Sequence, residues 1–201
     1  MSPTRATLIW LCLSIAIGVP ILAAAFSPLL AWRDPVYILA GLSGIIAMAL
    51  LLVQPLLVGG YLPGFAALRG RKTHRWIGSL LVLSVVVHVA ALWITSPPDV
   101  IDALLFASPT PFSDWGVIAM WAVFASACMA VFRRRMHLRP RAWRIGHTIL
   151  AAVIVIGSVV HAMLIDGTME TVSKAALCGL VLLATFRVLV RLKVWAAGSR
   201  A

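Results

Sequence analysis

Acidic residues are scarce in this chain: six of 201, against seventeen lysines and arginines. Polar runs are scarcer still, and nowhere is a stretch long or polar enough to make a soluble domain. No GxGxxG fingerprint and no P-loop occurs, which excludes the glycine-rich route to a flavin or nucleotide within these residues. Cysteine is low as well. Cys12, Cys128 and Cys178 stand at unrelated spacings with no CxxC, so neither a disulfide framework nor a cysteine-built zinc site is expected. They read as packing residues, because a free cysteine behaves as a small apolar side chain.

What the chain has instead is apolar length. Hydrophobic residues make up 62% of it, with a mean hydropathy of +1.03, which places it among membrane proteins. Six segments hold about 20 apolar residues each, enough to cross a hydrocarbon core of about 30 Å. They lie near residues 7 to 26, 36 to 58, 74 to 94, 113 to 132, 145 to 165 and 173 to 192. The fold expected is an all-α membrane protein, a six-transmembrane-helix bundle forming a single domain over residues 1 to 201. Ala23 to Ala25 resemble a cleavage region, but the apolar run before them is long for a signal peptide and only Arg5 precedes it. The first segment is therefore read as a span.

The net charge of +11 would suggest nucleic acid in a soluble protein, but its placement is one-sided. With both termini cytoplasmic, the inside receives Arg5, then Arg69, Arg71, Lys72 and Arg75. It also receives the cluster Arg133 to Arg144 and the tail Arg187, Arg191, Lys193 and Arg200. All six acids, Asp34, Asp99, Asp102, Asp114, Asp166 and Glu170, fall outside with only Arg33 and Lys174. That is the positive-inside pattern of an inner (plasma) membrane protein, and no nucleic-acid partner is needed to explain it. The longest outer connection, Thr95 to Ser113, has four prolines and an apolar middle, which suggests a loop lying along the membrane surface.

Histidine carries the chemistry. His74 and His88 are separated by thirteen residues, and so are His147 and His161. Fourteen steps of about 100° fall within about 40° of four full turns, so each pair shares one helix face, with roughly 21 Å between its members along the axis. The third and fifth spans run in the same direction, which brings His74 level with His147 and His88 level with His161. A lone imidazole in a bundle is often only hydrogen-bonded to a neighbouring helix. That reading does not predict equal spacing on two parallel helices. A proton relay would want polar groups between its members, and only Ser79, Ser84, Thr148 and Ser158 intervene. Zinc would want four ligands converging on one ion. Haem fits better, since a bis-imidazole iron takes one histidine from each of two facing helices. Two b-type haems, a single haem, and a structural or relay role remain the alternatives.

Gly78, Gly146 and Gly157 lie close to these histidines, where small residues serve either a flat macrocycle or helix packing. Arg71, Lys72, Arg75 and Arg144 flank the inner pair, as propionate partners or as ordinary cytoplasmic anchors. Trp76, Trp93, Trp115, Trp121 and Trp143 stand near span ends as an interfacial belt does. His137, in the basic loop RRRMHLRPR, reads as solvated or headgroup-facing.

The segments HRWIGSLLVLSVVVH and WRIGHTILAAVIVIGSVVHAML resemble the third and fifth helices of the ferric-reductase-like transmembrane domain. That family includes iron reductases, NADPH oxidases and the haem subunit of the periplasmic methionine sulfoxide reductase system. The resemblance covers roughly residues 40 to 192. It implies a di-haem cytochrome b with His74 and His147 as inner ligands and His88 and His161 as outer ligands. It further implies transmembrane electron transfer as the subunit of an oxidoreductase. The donor would be a separate flavoprotein or a membrane quinol, and the acceptor a periplasmic oxidoreductase or a ferric species. A haem-free transporter or scaffold using the histidines as a proton relay is the competing expectation.

Overall fold

A computed structural model describes residues 2 to 65, 67 to 137 and 139 to 192. Among these residues the secondary structure is entirely helical. The helices are α1 (Pro3–Ala25), α2 (Pro35–Val58), α3 (Ala67–Thr95), α4 (Pro97–Leu104), α5 (Pro111–Val131), α6 (Pro140–Leu164) and α7 (Thr171–Leu192). All except α4 are long and apolar enough to cross a membrane, so the chain is a multi-pass integral membrane protein. Lys193 and Arg200, assigned above to a cytoplasmic tail, lie outside the described residues.

Proline starts five of the helices, at Pro3, Pro35, Pro97, Pro111 and Pro140. Its fixed φ suits the first helical turn, where its missing N–H would have had no partner. This is why the proline-rich outer connection is only partly a loop: Pro97 begins the short helix α4 and Pro111 begins α5. Acids complete other starts. Asp34 accepts the Val36 N–H at 2.7 Å, and Glu170 accepts those of Val172 and Ser173 at 2.7 Å each. Those two acids are thus occupied as helix caps, and Asp99 is bonded to the Ser96 hydroxyl at 2.5 Å.

All six spanning helices begin earlier than hydropathy suggests, α3 and α6 by the most. α3 starts at Ala67 and α6 at Pro140, because the basic residues before each apolar window are themselves helical. Arg69, Arg71, Lys72, Arg75, Arg141 and Arg144 extend from the ends of the spans, whereas Arg133, Arg135 and Arg139 stand in the connection between α5 and α6.

Packing follows a closed circuit of neighbours: α2 with α3, α3 with α5, α5 with α6, α6 with α7, and α7 with α2. The closest associations are the two hairpins, α2 with α3 and α5 with α6. α1 lies outside the circuit against α7 and α2. The centre is aliphatic, built from Leu51 and Leu52 of α2, Leu81 of α3, Val123 of α5, Ile154 and Val155 of α6, and Leu177 and Val181 of α7. Cys178 is buried there, while Cys12 and Cys128 are exposed on the outside of the bundle. Lys174, at the outer start of α7, is buried and donates to the Ile165 carbonyl at 2.7 Å, which closes the C-terminal end of α6.

Candidate functional site: two facing histidine pairs

α3 and α6 are not neighbours in the circuit; they stand across the interior from each other. Their histidines bridge that distance. The rings of His74 and His147 have centroids 6.3 Å apart at an interplanar angle of 78°. Those of His88 and His161 are also 6.3 Å apart, at 85°. The four residues singled out by spacing therefore come together in the two pairs expected, at two levels.

At the outer level both imidazoles are oriented by main chain. His88 Nδ1 lies 2.7 Å from the Ala40 carbonyl, and His161 Nδ1 lies 2.8 Å from the Phe112 carbonyl. A carbonyl only accepts, so each Nδ1 carries the proton and donates it, and each Nε2 keeps a free lone pair. Glycine permits the approach. A Cβ at Gly44 would stand 3.1 Å from His88 Nδ1, and one at Gly116 would stand 2.6 Å from His161 Nδ1. In each case the accepting carbonyl belongs to the residue four positions before the glycine, so ring and backbone meet on the same turn of helix.

At the inner level the partners are side chains. Ser126 Oγ lies 3.1 Å from His147 Nδ1. The Gln54 amide lies against His74 and Gly78. With its nitrogen toward His74 it donates to the His74 carbonyl at 3.2 Å and to His74 Nδ1, and it accepts the Gly78 N–H at 2.9 Å. Turned over, it offers its oxygen to His74 Nδ1. Trp143 stacks on His147 with centroids 5.1 Å apart and planes 8° apart. The Arg133 guanidinium lies 4.4 Å from the centroid of the Trp143 ring. The Trp143 indole N–H is buried and has no hydrogen-bond partner among the described residues.

The other expected residues are placed differently. Arg71, Arg75 and Arg144 are exposed on the N-terminal turns of α3 and α6, and Arg75 lines a shallow open pocket with Lys72, Trp76 and Ser79. Gly157 serves helix packing, since its Cβ would stand 3.1 Å from both the Ala119 side chain and the Trp115 carbonyl. Gly78 faces Gln54. His137 is exposed, with a positive φ of 45°.

Gly44, Gly116, Gln54 and Ser126 were not singled out from the sequence, although a signal exists. Gly44 opens Gly-Ile-Ile-Ala-Met and Gly116 opens Gly-Val-Ile-Ala-Met. Ten residues after each glycine comes the polar partner of the inner histidine, Gln54 in one hairpin and Ser126 in the other. The hairpin α2–α3 is thus repeated as α5–α6, with matching stations for both histidines.

A bis-imidazole iron suits this donor set. A metal held at about 2 Å by a nitrogen of each ring puts two imidazole centroids a little over 6 Å apart, the separation found at both levels. Among the described residues no cluster of three or more His, Cys, Asp or Glu exists that would complete a protein-only metal site. Two nitrogens per level instead suit a group that supplies its own equatorial ligands. The Trp143 indole N–H beside the inner pair, without a partner among the described residues, is a donor suited to a carboxylate such as a propionate.

A family model described as "Ferric reductase like transmembrane component" matches residues 43–158, more than half of the chain. The match includes His74, His88 and His147 and stops three residues before His161. Such a domain points to a membrane redox role, and proteins of this kind usually bind haem. No curated protein and no solved structure matches the chain.

Proposed function

This chain belongs to the ferric-reductase-like transmembrane family, and from that premise we propose that it carries electrons across the membrane as a di-haem cytochrome b. His74 and His147 hold the cytoplasmic haem, and His88 and His161 hold the outer one. When bound, each haem supplies an iron that takes up and releases one electron at a potential tuned by its surroundings. The observation that carries this reading is the equal 6.3 Å separation of both histidine pairs across two helices that otherwise stand apart.

The protein's own contribution is orientation and exclusion. Ala40 and Phe112 hold the Nδ1 protons of the outer pair, so that Nε2 is presented as the ligand. The aliphatic layer of Leu51, Leu81, Val123, Ile154 and Val181 separates the two levels and keeps water out. Arg71, Arg75 and Arg144 stand at the cytoplasmic ends of the ligand helices, where their charge balances propionates. The 201 residues act as one haem-binding membrane domain of the inner (plasma) membrane. The donor is a separate cytoplasmic flavoprotein or a membrane quinol, and the acceptor is a periplasmic oxidoreductase or a ferric species on the outer side.

A proton relay between the levels is disfavoured by the same layer, which is made of aliphatic side chains. Absorbance tests the proposal. Dithionite-reduced membranes containing the protein are expected to show split b-type bands, and a pyridine haemochromogen assay two haems per chain. A folded preparation that contains no haem would overturn it. Crosslinking from native membranes, read for a flavoprotein on one side and a periplasmic oxidoreductase on the other, identifies donor and acceptor.

A further inference from the structure

The two levels differ in who accepts the Nδ1 proton. Outer ligands donate to main-chain carbonyls at 2.7 and 2.8 Å, which no substitution removes. Inner ligands depend on Gln54 and Ser126, the latter at 3.1 Å from its histidine. A ligating histidine that binds metal through Nε2 must carry its proton on Nδ1, and the acceptor of that proton adjusts how much electron density the ring gives the metal.

We propose that Gln54 and Ser126 are positioning residues which set the potential and retention of the inner haem independently of the outer one. The inference rests on the di-haem reading. For Gln54 the placement has a specific consequence. The amide is fully satisfied within the protein when its nitrogen faces His74, bonded to the His74 carbonyl and the Gly78 N–H. To accept from His74 Nδ1 it must turn its oxygen toward the ring and release those two main-chain groups. Loading the inner site therefore costs an amide reorientation that loading the outer site does not, and the outer site fills first. Ser126 acts more simply: its hydroxyl is the weaker and longer acceptor, and His147 donates less density for it.

Redox titration of the purified holoprotein, followed optically, tests this with Ser126→Ala, Gln54→Leu and Gln54→Glu. Removing an acceptor, in Ser126→Ala or Gln54→Leu, is expected to raise the inner potential. Supplying a carboxylate acceptor in Gln54→Glu is expected to lower it. Each shift is about tenfold in the redox equilibrium, which is about 59 mV for one electron. The outer wave stays in place. His88→Ala protein, in which only the inner ligand pair is intact, identifies the wave that moves. Limiting haem added to apoprotein is expected to fill the outer level first in wild type and both levels evenly in Gln54→Leu. Ser126→Ala removes a single oxygen and tests the potential even where a Gln54 variant fails to fold. Inner potentials that ignore Ser126→Ala, waves that move together, or a shift of the same sign in Gln54→Leu and Gln54→Glu overturn the inference. Haem counting on the wild type separates this from the parent reading: no haem fails the reading, whereas two haems indifferent to these variants fail only the inference.

Discussion

At the outer level His88 and His161 each reach a carbonyl four residues before a glycine, whereas at the inner level His74 and His147 reach the side chains of Gln54 and Ser126. Both levels present two rings 6.3 Å apart, so the ring geometry is shared and the support is not. Main-chain support is rigid and needs an empty space where a Cβ would stand. Side-chain support leaves the helix backbone intact but makes ring orientation a matter of residue identity. The two halves of one repeated hairpin plan therefore differ in how each site can be altered.

The largest effect is expected from removing one of the four histidines. In His88→Ala the outer haem is expected to disappear, so that the haemochromogen count falls from two to one while the donor still reduces the inner haem. Loss of neither haem would show that the levels are wrongly paired.

The glycine clearance gives the next effect. Gly116→Ala puts a Cβ 2.6 Å from His161 Nδ1, closer than the 3.1 Å of Gly44→Ala to His88. Overpacking of this kind costs about 1 to 3 kcal/mol, and outer-haem affinity is expected to fall about 10- to 100-fold, more for Gly116→Ala than for Gly44→Ala. Haem titration into apoprotein measures both, and equal losses at the inner level would erase the distinction drawn here.

On the inner side, Trp143→Leu removes the ring stacked on His147. Such stacking is worth about 1 kcal/mol, so inner-haem retention is expected to fall a few-fold with the outer haem unaffected. Haem loss to an apoglobin acceptor gives the rate.

The smallest effect belongs to the outer surface. The backbone N–H groups of Ser173 and Val172 hold the Glu170 carboxyl below the usual carboxylate range. Because the folded value is depressed, this cap stabilises the start of α7 above that range and is lost as pH falls through the lowered value. Melting temperature in detergent is expected to decline slightly between about pH 6 and about pH 3, where carboxylates titrate. Glu170→Gln flattens that decline, and an unchanged slope would remove the carboxylate from the account.

Much of this was legible along the chain, because span length and helix phase are local properties. Six apolar runs gave six long helices, and fourteen-residue intervals placed four histidines in two facing pairs. Helix ends were less legible, since the cationic turns before α3 and α6 are helical without being apolar. The supports of the histidines were not read at all. Gly44 and Gly116 matter only because α2 and α5 pack beside α3 and α6, and a glycine in an apolar run carries no mark of the ring that lies over it. Gln54 was passed over for the same reason. Trp143, read as one of an interfacial belt, also covers a histidine, a contact made four residues along the first turns of α6.

The aliphatic layer between the histidine levels has an electrical consequence. Leu51, Leu81, Val123, Ile154 and Val181 carry no group that can pass on a proton, so in the proposed function an electron crossing this layer takes no proton with it through these side chains. In the proposed function each turnover is electrogenic, with up to about 2.3 kcal/mol of work per electron for every 100 mV across the bilayer. The membrane voltage thereby becomes a participant in the rate, opposing or assisting transfer according to its sign.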